Sequence, residues 1–98
     1  MRRAAKRDLS EKDIVKTLRA CGWSVHFISE KDAPDLVLGR QGVTLLAECK
    51  TKRAKLRPGQ ADWHANWKGA PVVILRSVDD ALALSQLTPI DDRASGAN

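Results

Sequence analysis

The sequence predicts an α/β domain: a mixed four-stranded sheet flanked by helices, in the order helix, three strands, helix, strand, helix. Two observations carry the expectation. The apolar residues change period, from helical spacing at Ile14, Leu18 and Cys21 to extended runs between Trp23 and Lys50, and back to helical spacing at Trp63 and Trp67. The stretch between Lys50 and Val72 is also long enough to hold a helical crossover joining parallel strands.

Ser10, with Asp13 three residues later, predicts the capped start of a first helix running from about Glu11 to Cys21, where Gly22 ends it. Val25, His26, Phe27 and Ile28 favour a strand within Trp23 to Ser29. Pro34 holds Ala33 out of the helical region, and a second strand is expected over Asp35 to Leu38. Gly39 to Gly42 is short enough for a hairpin turn, which makes the third strand, Val43 to Lys50, antiparallel to the second. Pro58 suits the start of a helix carrying Trp63 and Trp67, closed by Gly69 to Pro71. The unbroken apolar run Val72 to Leu75 predicts a strand covered on both faces. Ser77 and Asp80 then cap a last helix from Val78 to about Leu87.

A chain of 98 residues supports one hydrophobic core. We read residues 1–9 as a basic flexible arm, 10–88 as the domain and 89–98 as a flexible tail. Seventeen Lys and Arg against twelve Asp and Glu leave a net charge of +5. The positive residues cluster at Arg2, Arg3, Lys6 and Arg7 and again at Lys50, Lys52, Arg53, Lys55 and Arg57. Such clusters predict contact with a polyanion backbone and do not separate DNA from RNA. Cys21 and Cys49 lack zinc-site or redox spacing and suit a reducing, intracellular compartment. No apolar run is long enough to span a membrane, and the basic start lacks the apolar stretch of a secretory signal.

Alternation along the third strand puts Val43, Leu45, Ala47 and Cys49 on one face, expected to be core, and Thr44, Leu46, Glu48 and Lys50 on the other. A hairpin turn near Arg40 and Gln41 brings Asp35 level with Leu46 to Glu48. Two carboxylates meeting there can bind a hard divalent cation through oxygen, and Lys50 can orient water or stabilise charge developing on a phosphate. Spacing alone equally describes an ordinary ion-paired hairpin. Pro34-Asp35 ahead of it favours the site.

Pro34-Asp35 followed by Glu48-Cys49-Lys50, within helix, hairpin, helix and strand, resembles the PD-(D/E)xK nuclease superfamily, and within it the VRR-NUC group in its small, stand-alone phage form. The resemblance spans roughly Ser10 to Leu87. It implies metal-dependent cleavage of DNA with Mg²⁺ or Mn²⁺ held by Asp35 and Glu48, joined by Glu11 on the first helix and by the Cys49 backbone carbonyl. It further implies that Gln60 assists catalysis beside Lys50. Small members look like homodimers that cut four-way (Holliday) junctions, which sets the expectation here; the alternatives are a general or flap-type endonuclease, or a non-catalytic DNA-binding module. Lys52, Arg53, Lys55 and Arg57, with the arm residues, would grip the DNA backbone. A phage-encoded member would act in the cytoplasm of its bacterial host. Trp23, Trp63 and Trp67 are expected to serve packing, the last two against the sheet or a partner subunit.

Overall fold

The computed structural model describes residues 2–51 and 53–87, with side chains from Glu11 onward. The elements follow the predicted order: α1 (Arg2–Ala20), β1 (Ser24–Phe27), β2 (Leu36–Arg40), β3 (Val43–Cys49), α2 (Pro58–Asn66), β4 (Val73–Leu75) and α3 (Val78–Leu87). The sheet order is β1-β2-β3-β4; the first two pairings are antiparallel and β3 pairs with β4 in parallel. The α/β class with a mixed four-stranded sheet and three helices is therefore as expected.

The start of α1 is not. Ser10 lies inside the helix rather than capping it, and the backbone is helical from Arg2. Ala4, Ala5, Lys6, Arg7 and Leu9 are strong helix formers, so propensity carries the helix past the local stop that Ser10 offers. Glu11 consequently sits in mid-helix. The other end matches the prediction: Gly22 adopts φ +96°. Trp23 N–H donates to the Leu18 carbonyl and Gly22 N–H to that of Arg19, the paired bonds of a Schellman ending.

The hairpin is tighter than expected. The strands continue through Gly39 and Arg40, leaving Gln41 (φ 49°) and Gly42 (φ 84°) as a two-residue turn. Both turn residues have positive φ, the type I′ pattern whose twist matches the flanking strands. Arg40, expected in the turn, instead closes the β2 end of the ladder opposite Val43.

The core lies on one face of the sheet. Ile14, Val15 and Leu18 of α1 and Ala81 and Leu84 of α3 cover Val25, Leu36, Leu38, Ala47 and Leu75. Trp23 is buried with them, donating Nε1–H to Ser85 Oγ at 3.0 Å. Arg40 ties this layer together: its guanidinium stacks 4.7 Å from the centre of the Trp23 ring and donates to the carbonyls of Cys21 and Ser85, at the C-terminal ends of α1 and α3. At the entry to α3, Ser77 Oγ accepts from Asp80 N–H as predicted, and the Asp80 carboxylate accepts from Arg76 N–H.

Three packing expectations need correction. Val43, expected in the core, is exposed at the hairpin end, with Leu45 and Cys49 partly buried against the core and only Ala47 fully enclosed. Strand β4, expected to be covered on both faces, has only Leu75 buried, with Val73 and Ile74 partly exposed; the crossover brings it to the sheet edge outside β3. Trp63 and Trp67 stack on each other, ring centres 5.1 Å apart and 17° from parallel; of the two expected packing partners, sheet or partner subunit, the sheet leaves Trp67 43% exposed. Among the described residues, no helix is long and apolar enough to cross a membrane.

Candidate functional site

The β2–β3 register pairs Leu36 with Ala47, so Asp35 arrives opposite Glu48. The backbone enters there under constraint: Pro34 is fully buried, and Ile28 N–H donates to the Asp35 carbonyl, extending the β1–β2 ladder by one bond. The Asp35 carboxylate bends toward β3, where Oδ2 accepts from Cys49 N–H at 2.8 Å. Glu48 alternates with Ala47 and so leaves the sheet on the face away from the core.

Glu48 is only 2% exposed. Its Oε2 accepts from Gln60 Nε2 at 2.8 Å and lies 3.5 Å from Lys50 Nζ. Its Oε1 is buried and has no hydrogen-bond partner. Burial and the neighbouring Asp35 charge raise the pKa of Glu48, outweighing the opposing pull of Lys50 and Gln60.

Gln60 is the third residue of α2 and the one buried residue of that helix. Its Oε1 accepts both from Arg57 N–H (3.0 Å), as a capping glutamine does, and from Lys50 Nζ (2.7 Å). The local helix-end bond and the cross-link into the site are thus made by one side chain. The Lys50 backbone is fixed independently, its N–H donating to the Leu75 carbonyl on β4.

These groups line a cleft of about 390 Å³, together with Glu11, Cys49 and Arg57. Every residue expected in the catalytic and metal-binding set, Glu11, Asp35, Glu48, Lys50 and Gln60, lies on its wall. Of the basic residues after β3, Arg57 lines the cleft and is weakly paired with Asp32 at 3.8 Å, while Arg53 and Lys55 are exposed. Lys52 and the side chains of Arg2, Arg3, Lys6 and Arg7 lie outside the described residues, as does the tail beyond Leu87.

Two contributions went unnoticed in the sequence, the reach of the Arg76 side chain and the position of the Cys49 sulfur. Arg76 Nη1 donates to the carbonyls of Thr51 and Ala54, pinning the loop that forms the cleft's rim; nothing in its sequence context marks that reach of more than twenty residues. Cys49, expected to point into the core, leans to the cleft end of it: one ligand atom each of Cys49, Glu11 and Asp35 lie within 4.8 Å of one another. Burial, reinforced by the charges of Glu11, Asp35 and Glu48, pushes the Cys49 thiol up to about 12. His64, one turn beyond Gln60, has a buried, unpartnered Nε2, and burial together with the Lys50 charge lowers its pKa. No protein-family model, curated protein or solved structure matches the chain.

Proposed function

We propose that the chain is a metal-dependent DNA endonuclease of the PD-(D/E)xK type, similar to the VRR-NUC group, that hydrolyses phosphodiester bonds in four-way junctions as a homodimer. One observation carries this reading: a buried carboxylate, Glu48, with an unpartnered Oε1, beside Asp35 on the wall of an open cleft. An unsatisfied buried polar atom costs about 1–3 kcal/mol, and more when charged. A hard divalent cation with oxygen ligands removes that cost and the repulsion between the two carboxylates together.

The donor set suits Mg²⁺ or Mn²⁺, with Asp35 and Glu48 as ligands, the Cys49 carbonyl beside them, and Glu11 acting directly or through water. The ion would supply neutralisation of phosphate charge and acidification of a water. The remaining work falls to the protein. Gln60 holds Glu48 by Oε2, which leaves Oε1 for the cation, and with its own Oε1 it steadies the Lys50 ammonium. Lys50, so held, can orient the attacking water or stabilise charge on the phosphate. Arg57 at the cleft, with Arg53 and Lys55 on the loop before it, would bind backbone phosphates and set the register of the scissile bond.

A two-fold dimer would present two such clefts to the two strands of a symmetric junction. It would also cover apolar surface such as Phe27, 61% exposed on edge strand β1. A DNA-binding module would share the basic loop but has no use for a buried, half-satisfied carboxylate.

The test is cleavage of end-labelled four-way junctions beside linear duplex, flap and single-stranded DNA, with Mg²⁺, Mn²⁺ or EDTA. Paired cuts at the junction are expected, abolished by EDTA and reduced by at least about 100-fold in Glu48→Ala. Cleavage without junction preference would keep the nuclease and replace the substrate with a general or flap-type one. Tight binding with no cleavage of any DNA would replace the enzyme with a binding module.

A further inference from the structure

Asp35 faces two ways. One neighbour across the ladder is Glu48, and together they form an all-oxygen pair; the other is Cys49, whose backbone N–H holds the Asp35 carboxylate at 2.8 Å. The Cys49 sulfur and carboxylate oxygens of Asp35 and Glu11 all lie within 4.8 Å of one another, and the three half-buried residues line the cleft. Glu48, deeply buried and with an Oε1 that has no hydrogen-bond partner, is a lining residue of the same cleft, a second observation that points to a ligand there. A tetrahedral ion with bonds of about 2.0 Å to oxygen and 2.3 Å to sulfur needs ligand atoms about 3.3–3.5 Å apart. Each separation would have to close by at most about 1.5 Å to reach that spacing.

We propose that Glu11, Asp35 and Cys49 form a mixed oxygen–sulfur site for thiophilic divalent cations, Zn²⁺ and Cd²⁺, which excludes the catalytic ion because both sites use Asp35. The inference rests on the nuclease reading for its consequence, inhibition, but not for the binding itself. Hard cations such as Mg²⁺ have little affinity for sulfur and keep to the Asp35–Glu48 side, whereas a borderline or soft cation gains most from the thiolate. On binding, the Cys49 S–H bond breaks, its proton passes to water, and sulfur donates an electron pair to the cation; nothing is oxidised or reduced.

The experiment is titration of the full chain with CdCl₂, following the ultraviolet sulfur-to-cadmium charge-transfer band. A band saturating at one equivalent is expected, absent in Cys49→Ser and undiminished in Cys21→Ser. Glu11→Gln, which keeps both thiols, should raise the cadmium dissociation constant by about tenfold or more. MgCl₂ should produce no band. No band in the wild-type protein, a band that survives Cys49→Ser, or an affinity indifferent to Glu11→Gln would each overturn the site. Junction cleavage with Mg²⁺ in the same preparation separates the two readings. Cleavage without a cadmium band removes the mixed site and leaves the nuclease, while a band without cleavage does the reverse; with both, a stoichiometric excess of Cd²⁺ should abolish cleavage, and cleavage that persists refutes the exclusion.

Discussion

Arg40 shows how much a single side chain contributes when its partners come from both the α1–β1 connection and α3. It offers a cation to the carbonyl ends of α1 and α3 and a flat guanidinium to the Trp23 ring. A charged hydrogen bond contributes about 1.5–3 kcal/mol, and a partly desolvated cation–π contact about 1 kcal/mol. Arg40→Ala should therefore lower stability by about 2–4 kcal/mol, read as a reduced urea midpoint with an unchanged m-value. Arg40→Lys should recover only a fraction, since an ammonium cannot serve both carbonyls and the ring with one planar group. A loss below about 0.5 kcal/mol for the alanine variant would mean that the clamp is a surface ornament. Gln60 has a similar economy at the site, where one amide closes the start of α2 and bridges Lys50 to Glu48.

Among the elements, the β2–β3 hairpin does most to assemble the site, because its register decides which residue faces Glu48. The two-residue turn leaves no slack: moving the pairing by one position would carry Asp35 off Glu48 and turn the Leu36 and Leu38 side chains out of the core. Gly42 permits this turn at φ 84°, where an L side chain is strained. Gly42→Ala should cost about 1–2 kcal/mol in thermal or denaturant unfolding, although a Cβ there would meet no neighbour within 4 Å. That separation of strain from crowding makes the position a clean check: a neutral substitution would rule out the tight turn. Helix α2 stands in contrast, with Gln60 buried and the Trp63–Trp67 stack partly open to solvent, so its attachment depends heavily on the polar site.

For the whole molecule, the buried Glu48 makes stability depend on pH and, under the proposed metal binding, on divalent cations. Its folded-state pKa is raised above the ordinary 4.5, so its proton is held more tightly in the folded chain. The associated stability is complete below the ordinary value and is lost as pH rises through the raised one. In EDTA, wild type should lose stability over that window relative to Glu48→Gln, which carries no charge there. Mg²⁺ or Mn²⁺ should reverse the loss in wild type alone, adding about 2.7 kcal/mol at a hundredfold excess over the dissociation constant. Equal melting of the two proteins with and without the ion would remove Glu48 from any metal site. Element order, the α/β class, the hairpin, the Gly22 helix end and the Asp35, Glu48, Lys50 set were all legible in the sequence by itself, because period, turn chemistry and strand alternation act over a few neighbouring residues. The start of α1 was misread since a local cap signal at Ser10 competes with the helix propensity on both sides of it. The tertiary structure alone decided that β4 lies at the sheet edge, that Arg40 and Arg76 reach across the fold to distant carbonyls, and that the Cys49 sulfur meets Glu11 and Asp35. Each depends on the direction of a crossover or on how helices seat against the sheet, and such long-range packing leaves no period in the chain.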